Sequence, residues 1–485
     1  MGEELRLSPP EETALTEKDG RQVTLGRAFV RKWVELGPRF LPFADVATED
    51  LPLGRLFRLS LFQVSVGMAL VLLVGTLNRV MIVELGVPAS VVGIVLAVPL
   101  VAAPFRALIG FRSDHHRSEL GWRRVPFIWK GTLIQFGGFA IMPFALLVLA
   151  GRGEAANAPA WIGQGSAALA ALLVGVGVHT VQTAGLALAT DLTPVRSHPR
   201  VVGLMYVMLL LGMFVSALVF GRALEDFSPG RLVQVIQGAA LATLVLNTVA
   251  MWKQEVRRPR RGIEAGAAEP DPTFLESWQI FRGGQNALPL LWIIGIGTLA
   301  FGMADVLLEP FGGQILGMAV ADTTRLTALF ALGGLLGFGL ASAGLGSGLD
   351  PHRLTLGGTA VGGVAFLAIL FGGTSDLRSL FALGNLLLGF GAALFAHGTL
   401  TTTMNSAPKG QVGLALGAWG SVQATAAGVA IAVSGMVRDL VQAVLGPSGG
   451  LFGLDALASS YVVVFSLELT LLGITMGLIF PLTRA

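Results

Sequence analysis

The fold class the sequence predicts is an all-α membrane protein, with twelve transmembrane helices in two pseudo-symmetric six-helix halves. Three observations predict it. Twelve long apolar stretches occupy most of the 485 residues. Charged residues make up 13% against 53% hydrophobic, and mean hydropathy is +0.72, whereas a soluble chain carries about a quarter charged residues. A GxxxD signature also recurs at matching places, as GFRSD from Gly110 to Asp114 and GSGLD from Gly346 to Asp350.

Crossing a hydrocarbon core of about 30 Å takes about 20 helical residues. Stretches of sufficient length lie at 57–85, 88–111, 125–150, 161–190, 201–221, 231–252, 288–310, 320–346, 353–373, 379–403, 411–436 and 459–481. The 65 glycines fit this reading, because small residues let helix backbones approach closely in lipid. The halves are therefore expected at 57–252 and 288–485, joined by a linker at 253–287 and preceded by an arm at 1–56. Within the arm, Leu25, Phe29, Trp33 and Leu36 interleave with Arg27, Arg31, Lys32 and Glu35, an amphipathic pattern that suits either a membrane surface or a helix packed under the bundle.

Charge placement orients the chain. The first 50 residues lack the early apolar core of a cleavable signal. Arg112, Arg117, Arg123, Arg124, Arg196, Arg200 and the KQEVRRPRR run from Lys253 all fall on the side of the N-terminal arm, so both termini are expected in the cytoplasm. The net charge of +3 reflects this orientation and calls for no nucleic-acid partner. The absence of cysteine excludes disulfides, zinc–thiolate sites and thiol catalysis. No GxxxxGK[ST] phosphate loop occurs, and no nucleophile or nucleotide constellation suggests an enzyme.

A second landmark supports the repeat. With GxxxD aligned, Gly175, Gly177, Asp191 and Pro194 of the fourth span match Gly389, Gly391, Asn405 and Pro408 of the tenth. Six plus six spans, a long central loop and GxxxD followed by a basic cluster resemble the major facilitator superfamily, whose halves are parallel repeats around a central site. The resemblance implies a gating motif of Gly110, Asp114, Arg117, Gly121, Arg123 and Arg124, with Gly346, Asp350 and Arg353 as its second-half counterpart. The loop departs from the family pattern, because HHRSEL intervenes before GWRR.

Four longer strings carry a narrower resemblance: GTLNRVMIVELGVP from Gly75, APFRALIGFRSD with GWRRVPFIWKGTLIQFGG from Ala103 to Gly138, HTVQTAGLALATDL from His179, and FGMADVLLEPFGGQILGM from Phe301. They are similar to the PucC and LhaA proteins of purple phototrophic bacteria, over most of the chain from about residue 38. The resemblance implies an assembly factor for a light-harvesting antenna complex, LH1 or LH2, in the bacterial cytoplasmic or intracytoplasmic membrane. Bacteriochlorophyll would be its carried pigment. Antenna polypeptides, the reaction centre–LH1 complex, pigment-synthesis enzymes and membrane lipids would be its partners. A proton-coupled secondary transporter of a small solute is the rival reading.

Charged residues within spans are costly and mark function or internal pairing. Setting Val80 against Val306 places Arg79 opposite Asp305, so the two are expected to pair as a latch between halves or to serve a ligand. Glu84 and Glu309 are expected at the outer ends of the first and seventh spans, within reach of interfacial water, and Asp305 or Glu309 are the candidates for proton coupling. Glu468 has no evident partner. A neutral imidazole can ligate the magnesium of a chlorin, so His179 and His397 are candidate pigment ligands, or else histidines satisfied by a neighbouring helix. Gln182, Asn78 and Gln135 are further candidates, directly or through water. Phe127, Trp129, Phe136, Phe139, Trp292, Phe301, Phe311 and Trp419 supply aromatic surface for a pigment, or ordinary packing.

Overall fold

The computed structural model describes residues 53–101, 109, 113, 122–149, 159–194, 198–255, 287–406, 412–447, 449–451 and 453–484. Among these, eleven helices are long and apolar enough to cross a membrane, and Ala89–Leu100 is a shorter apolar one. In chain order they are α1 (Gly54–Glu84), α2 (Ala89–Val101), α3 (Val125–Leu149), α4 (Ala160–Asp191), α5 (His198–Ala223) and α6 (Pro229–Met251). Then follow α7 (Leu288–Gln314), α8 (Val320–Gly346), α9 (Pro351–Thr374), α10 (Arg378–Ser406), α11 (Val412–Leu445) and α12 (Ala456–Ile479). The amphipathic segment at 23–43, and Gly110, Asp114, Arg117 and Gly121 of the expected gating motif, lie outside the described residues.

Local chemistry sets several helix starts. Ser228 accepts from the Arg231 N–H ahead of α6, with Pro229 in the first helical position. Asp350 accepts from His352 ahead of α9, with Pro351 following. Asp455 caps α12 through Ala458. Each cap satisfies an N–H that the helix itself leaves open, and proline at the first position loses no bond.

The glycine landmarks acquire a packing meaning. A Cβ on Gly175 would stand 2.1 Å from Pro99 of α2, and one on Gly389 1.9 Å from the Phe330 carbonyl of α8. Two residues on, a Cβ at Gly177 would meet Gln135 of α3 at 2.5 Å, and one at Gly391 would meet Gly358 of α9 at 2.7 Å. The same glycine pair thus lets α4 close on α2 and α3, and α10 close on α8 and α9.

Between the two groups of six, α2 packs on α11 and α5 on α8, while α1 meets α7 and α8. Two spans differ from expectation. α11 runs on to Leu445 rather than stopping near 436, because Arg438 and Asp439 are satisfied within the bundle instead of ending the helix. α7 continues through Pro310 to Gln314, and its interruption comes earlier, as a short 3₁₀ turn at Ala304–Val306 between Ala287–Gly302 and Leu308–Gln314. Pro310 sits in the first turn of the second piece, where it forfeits no helical bond. The ring of Phe311 anchors that piece, at 5.2 Å from both Tyr461 and Phe465 of α12 and 5.6 Å from Phe381 of α10.

Candidate functional site

The break in α7 faces the part of α1 that is wound as π-helix, Val71–Leu77 and Val80–Glu84. Interrupting a helix frees backbone carbonyls, which must find donors in an apolar interior. Asn78 supplies one: its Nδ2 donates to the Val306 carbonyl at 2.7 Å and to Val74 of its own helix at 2.9 Å. Asn78 is 0% exposed. Two residues before it, Thr76 meets Thr324 of α8, with hydroxyls 3.3 Å apart. Asn78 is thereby built into the contact between α1 and α7.

Arg79 does not pair with Asp305. Its guanidinium donates to Glu84 at 2.5 Å and to the Met318 carbonyl at 3.0 Å, so the bond that links α1 to the α7–α8 connection is to backbone. Pseudo-equivalence of sequence position did not bring the two charges together, because Glu84 lies on the same helix within reach. Glu84 is exposed as expected, but Glu309 is 4% exposed. It turns inward, where its Oε1 accepts from the Thr327 hydroxyl at 2.5 Å and comes within 2.5 Å of where a Cβ on Gly75 would be. Only glycine at 75 leaves space for that carboxyl. Asp305 is half-buried on the 3₁₀ turn, and Glu468 is 0% exposed on α12.

The face of the bundle carrying Glu84 is tied across the halves. Asp439 of α11 accepts from the Ser90 N–H at the start of α2, at 2.7 Å. Glu225, just after α5, pairs with both Arg222 and Arg325 of α8, and Arg325 also reaches Asp322 at 3.1 Å. Arg438 donates to Gln314 at 2.9 Å, and Tyr461 does so at 2.6 Å.

The opposite face holds the described part of the gating motif. Arg123 and Arg124 pair with Asp191 at the end of α4, at 2.6 and 3.0 Å, and Arg124 also donates to Ser113 at 2.6 Å. Glu255, beyond α6, accepts from the backbone N–H groups of Arg123, Arg124 and Val125 and so caps α3. The motif's basic residues thus clamp helix ends within the first half. In the second half Asp350 is a helix cap, Arg353 is exposed, and Gly346 closes α8.

Among the described residues, the predicted pigment ligand His397 lines a cleft. This cleft of about 150 Å³ lies between halves, formed by Tyr206, Leu209 and Leu210 of α5, Phe330, Gly334 and Phe338 of α8, Gly389, Ala392, Ala393, Ala396, His397 and Leu400 of α10, and Trp419 of α11. His397 stands edge-on to Phe338, with ring centroids 4.4 Å apart, and its Nδ1 is buried without a partner. Trp419 donates its indole N–H to Thr399 at 3.2 Å. His179 and Gln182 are elsewhere on α4, and Gln182 reaches toward Gln63 of α1 at 3.5 Å. Gln135 is 0% exposed within the first half. Among the expected aromatics, Phe139 and Phe311 are buried in packing, whereas Trp129 and Trp292 are exposed on the bundle's outside. Tyr206, Leu210 and the α10 alanines carried no chemical signature in the sequence. Among the described residues no group of three or more His, Asp or Glu side chains is arranged to hold a metal ion.

Comparison with known proteins places this geometry in a family. A family model described as PUCC protein matches residues 76–485. The chain is 62% identical over 418 residues to Protein PucC of Rhodovulum sulfidophilum, covering 86% of this chain and 92% of that one. It is 58% identical over 454 residues to Protein PucC of Cereibacter sphaeroides, covering 93% and 97%. The solved structure of a bacterial homologue of the human lysosomal transporter Spinster, inward-facing and unoccupied, superposes with a TM-score of 0.61 at 15% identity, over 89% of this chain and 96% of that one. That likeness is one of fold, the major facilitator arrangement. From the matching family model and the extent of identity, the chain belongs to the PucC family.

Proposed function

We propose that this chain is an assembly factor for light-harvesting antenna complexes, which holds bacteriochlorophyll and hands it to antenna polypeptides within the bacterial cytoplasmic or intracytoplasmic membrane. The carrying observation is the cleft at His397. It is apolar apart from a few ring heteroatoms, it lies between the halves, and it contains one imidazole nitrogen that no protein group satisfies.

The residues present fit such a group. Bacteriochlorophyll, when bound, would supply a magnesium centre that a neutral imidazole nitrogen can ligate. His397 would offer that nitrogen, with its ring direction fixed by Phe338. The alanines of α10 keep the wall flat, and Leu209, Leu210 and Leu400 offer apolar contact. At about 150 Å³ the cleft is smaller than the roughly 300–1,000 Å³ of small-molecule sites, so it would hold an edge of the ring and leave the rest of the pigment outside it. Membrane orientation with both termini cytoplasmic belongs to the same reading and is supported by the basic residues at 112–124 and 253–261.

The rival reading, a proton-coupled transporter of a small solute, draws on the buried acids of α7 and α12. A polar solute would find almost no hydrogen-bonding groups in this cleft, which favours the pigment. The test is gentle purification from a phototrophic host, followed by pigment extraction and absorption spectroscopy, for the native chain and for His397→Leu and His179→Leu. Stoichiometric bacteriochlorophyll that His397→Leu depletes and His179→Leu retains is expected. A colourless native protein, from membranes whose antenna proteins keep their pigment, would overturn the reading.

A further inference from the structure

A second cavity, about 370 Å³ in volume, opens on the Glu84 face, at the corner where α5 of the first half meets α8 and the start of α10. Its walls change character with depth. Arg378 is the first residue of α10, and Asp322 and Arg325 lie in the opening turns of α8, so the charged groups stand at the level of the helix ends. Further in, the walls are apolar, with Phe214 and Leu218 of α5 opposite Leu326 and Leu329 of α8. Phe214 lies roughly 13 Å in from the end of α5. Leu218 is exposed, as are Val215 and Val219 beside it on α5, whereas Leu326 is buried. The cavity therefore opens sideways, on the surface that a transmembrane bundle turns to lipid.

The charges at its mouth are unevenly matched. Arg325 is answered by Glu225 and by Asp322, the latter at 3.1 Å. Arg378 is held differently: it donates to the Leu316 carbonyl at 2.9 Å. Among the described residues no carboxylate lies within ion-pair distance of it, Asp376 included. The lining thus carries two guanidinium groups against one acid. The bond to Leu316 pins the Arg378 guanidinium at the mouth and leaves most of its N–H donors unused, which prepares it for an anion with phosphate geometry. Asp322 disfavours an incoming negative charge, and its pairing with Arg325 offsets this. A free anion would leave the apolar walls without a partner, and a bare hydrocarbon chain would leave Arg378 unanswered. A molecule with a phosphodiester above a hydrocarbon chain satisfies both, in the order in which the cavity sets them.

From this arrangement we infer that the corner between α5, α8 and α10 is a binding site for an anionic phospholipid of the leaflet on the Glu84 face. The phosphodiester accepts from Arg378, with Arg325 beside it, and one acyl chain descends past Leu218 and Phe214 between the halves. Basic pockets between transmembrane helices hold lipid headgroups by the same chemistry. The site is separate from the His397 cleft and does not rest on the pigment reading.

The full chain, delipidated in detergent, is titrated with phosphatidylglycerol, whose charge is its phosphodiester alone, and adducts are counted by native mass spectrometry. The expected result is one saturable adduct, with half-saturation about tenfold higher in Arg378→Gln, which loses a charge-assisted contact. Arg378→Lys, which keeps the charge, should stay closer to the native chain. Unfolding midpoints without added lipid are compared first, so that a damaged fold is not read as lost binding. Two further probes use the native chain and need no variant. Diacylglycerol with the same chains lacks the phosphate and should give no saturable adduct; glycerol phosphate lacks the chains and should not displace the lipid. Saturable binding of diacylglycerol would show an apolar groove alone, and displacement by glycerol phosphate would show a plain anion site; either overturns the proposal. So would a half-saturation that Arg378→Gln leaves unchanged.

Discussion

Asn78 of α1 donates from Nδ2 to the carbonyl of Val306 in α7 at 2.7 Å, closing the gap that the 3₁₀ turn opens in the seventh span. Because both groups are buried, loss of the donor leaves a carbonyl stranded in an apolar interior. Asn78→Leu should therefore lower unfolding stability by about 1–3 kcal/mol. Thermal or denaturant unfolding of the detergent-solubilised chain reads the change, and an unaltered midpoint would mean that the break does not depend on α1.

His397 should behave in the opposite way. Its Nδ1 makes no hydrogen bond, so His397→Leu removes an unsatisfied polar atom and adds apolar contact with Phe338. The expected outcome is stability within about 1 kcal/mol of the native chain, together with pigment occupancy reduced about tenfold or more, equivalent to about 1.4 kcal/mol of binding. This split between stability and occupancy distinguishes a ligand from a packing histidine.

The contact between α2 and α11 depends on glycine on both helices. A Cβ on Gly93 would lie 2.6 Å from the Ile431 carbonyl, and one on Gly435 would lie 2.3 Å from the Ala89 carbonyl. In both cases the obstacle is backbone, which cannot swing aside. Gly435→Val should thus force the halves apart at this seam, at a cost of about 1–3 kcal/mol. Pro88 and Ser90 flank the contact, and the Asp439 cap on Ser90 would be stretched with it. Cross-linking between introduced cysteines on α2 and α11 is an unambiguous readout in a chain with no native cysteine; unchanged cross-linking in Gly435→Val would refute the packing argument.

How much of this was legible in sequence follows from the physics of each feature. Span positions were, because apolar length is a one-dimensional property. The repeat was too, because Gly175 and Gly177 must be small for the same steric reason as Gly389 and Gly391. Pairings across space were not. Arg79 chose Glu84 and a backbone carbonyl over Asp305 because rotamer reach, not pseudo-symmetry, decides which acceptor a guanidinium meets. The α7 break was partly legible: Gly302, Asp305 and Glu309–Pro310 are poor company in one helix, although the interruption itself falls at Ala304–Val306. The cleft was the least legible feature, since Ala392, Ala393 and Ala396 look like any small-residue helix face until α5 and α8 stand opposite them.

The α3 start offers a sharper test of local energetics. Glu255 accepts from three successive N–H groups, those of Arg123, Arg124 and Val125, at 2.7 to 3.0 Å, and it comes from the segment after α6. Its carboxylate also sits at the positive end of the α3 dipole. Glu255→Ala should cost about 0.5–2 kcal/mol, with faster amide exchange at 123–126. Glu255→Gln should recover part of this, because an amide oxygen still accepts.

At the far face, Glu225 is the hinge of the ionic contact between α5 and α8. The Arg222 guanidinium holds its carboxyl below the usual carboxylate range, despite a desolvation contribution that opposes it, and Arg325 adds to the lowering. A carboxyl lowered in the folded state stabilises the contact at every pH above its ordinary value, about 4.3, and that contribution disappears as pH falls through the lowered folded value. The contact should therefore be unaffected by pH around neutrality and loosen only in acid. The groups are exposed, so salt should weaken it as well. Spin labels at Gly230→Cys and Ala319→Cys report the distance between the halves here: it should widen in acid and at high ionic strength, and Glu225→Gln should widen it at neutral pH while abolishing the acid response. A distance that is the same in Glu225→Gln as in the native chain would mean that α5 and α8 are held by their apolar faces alone.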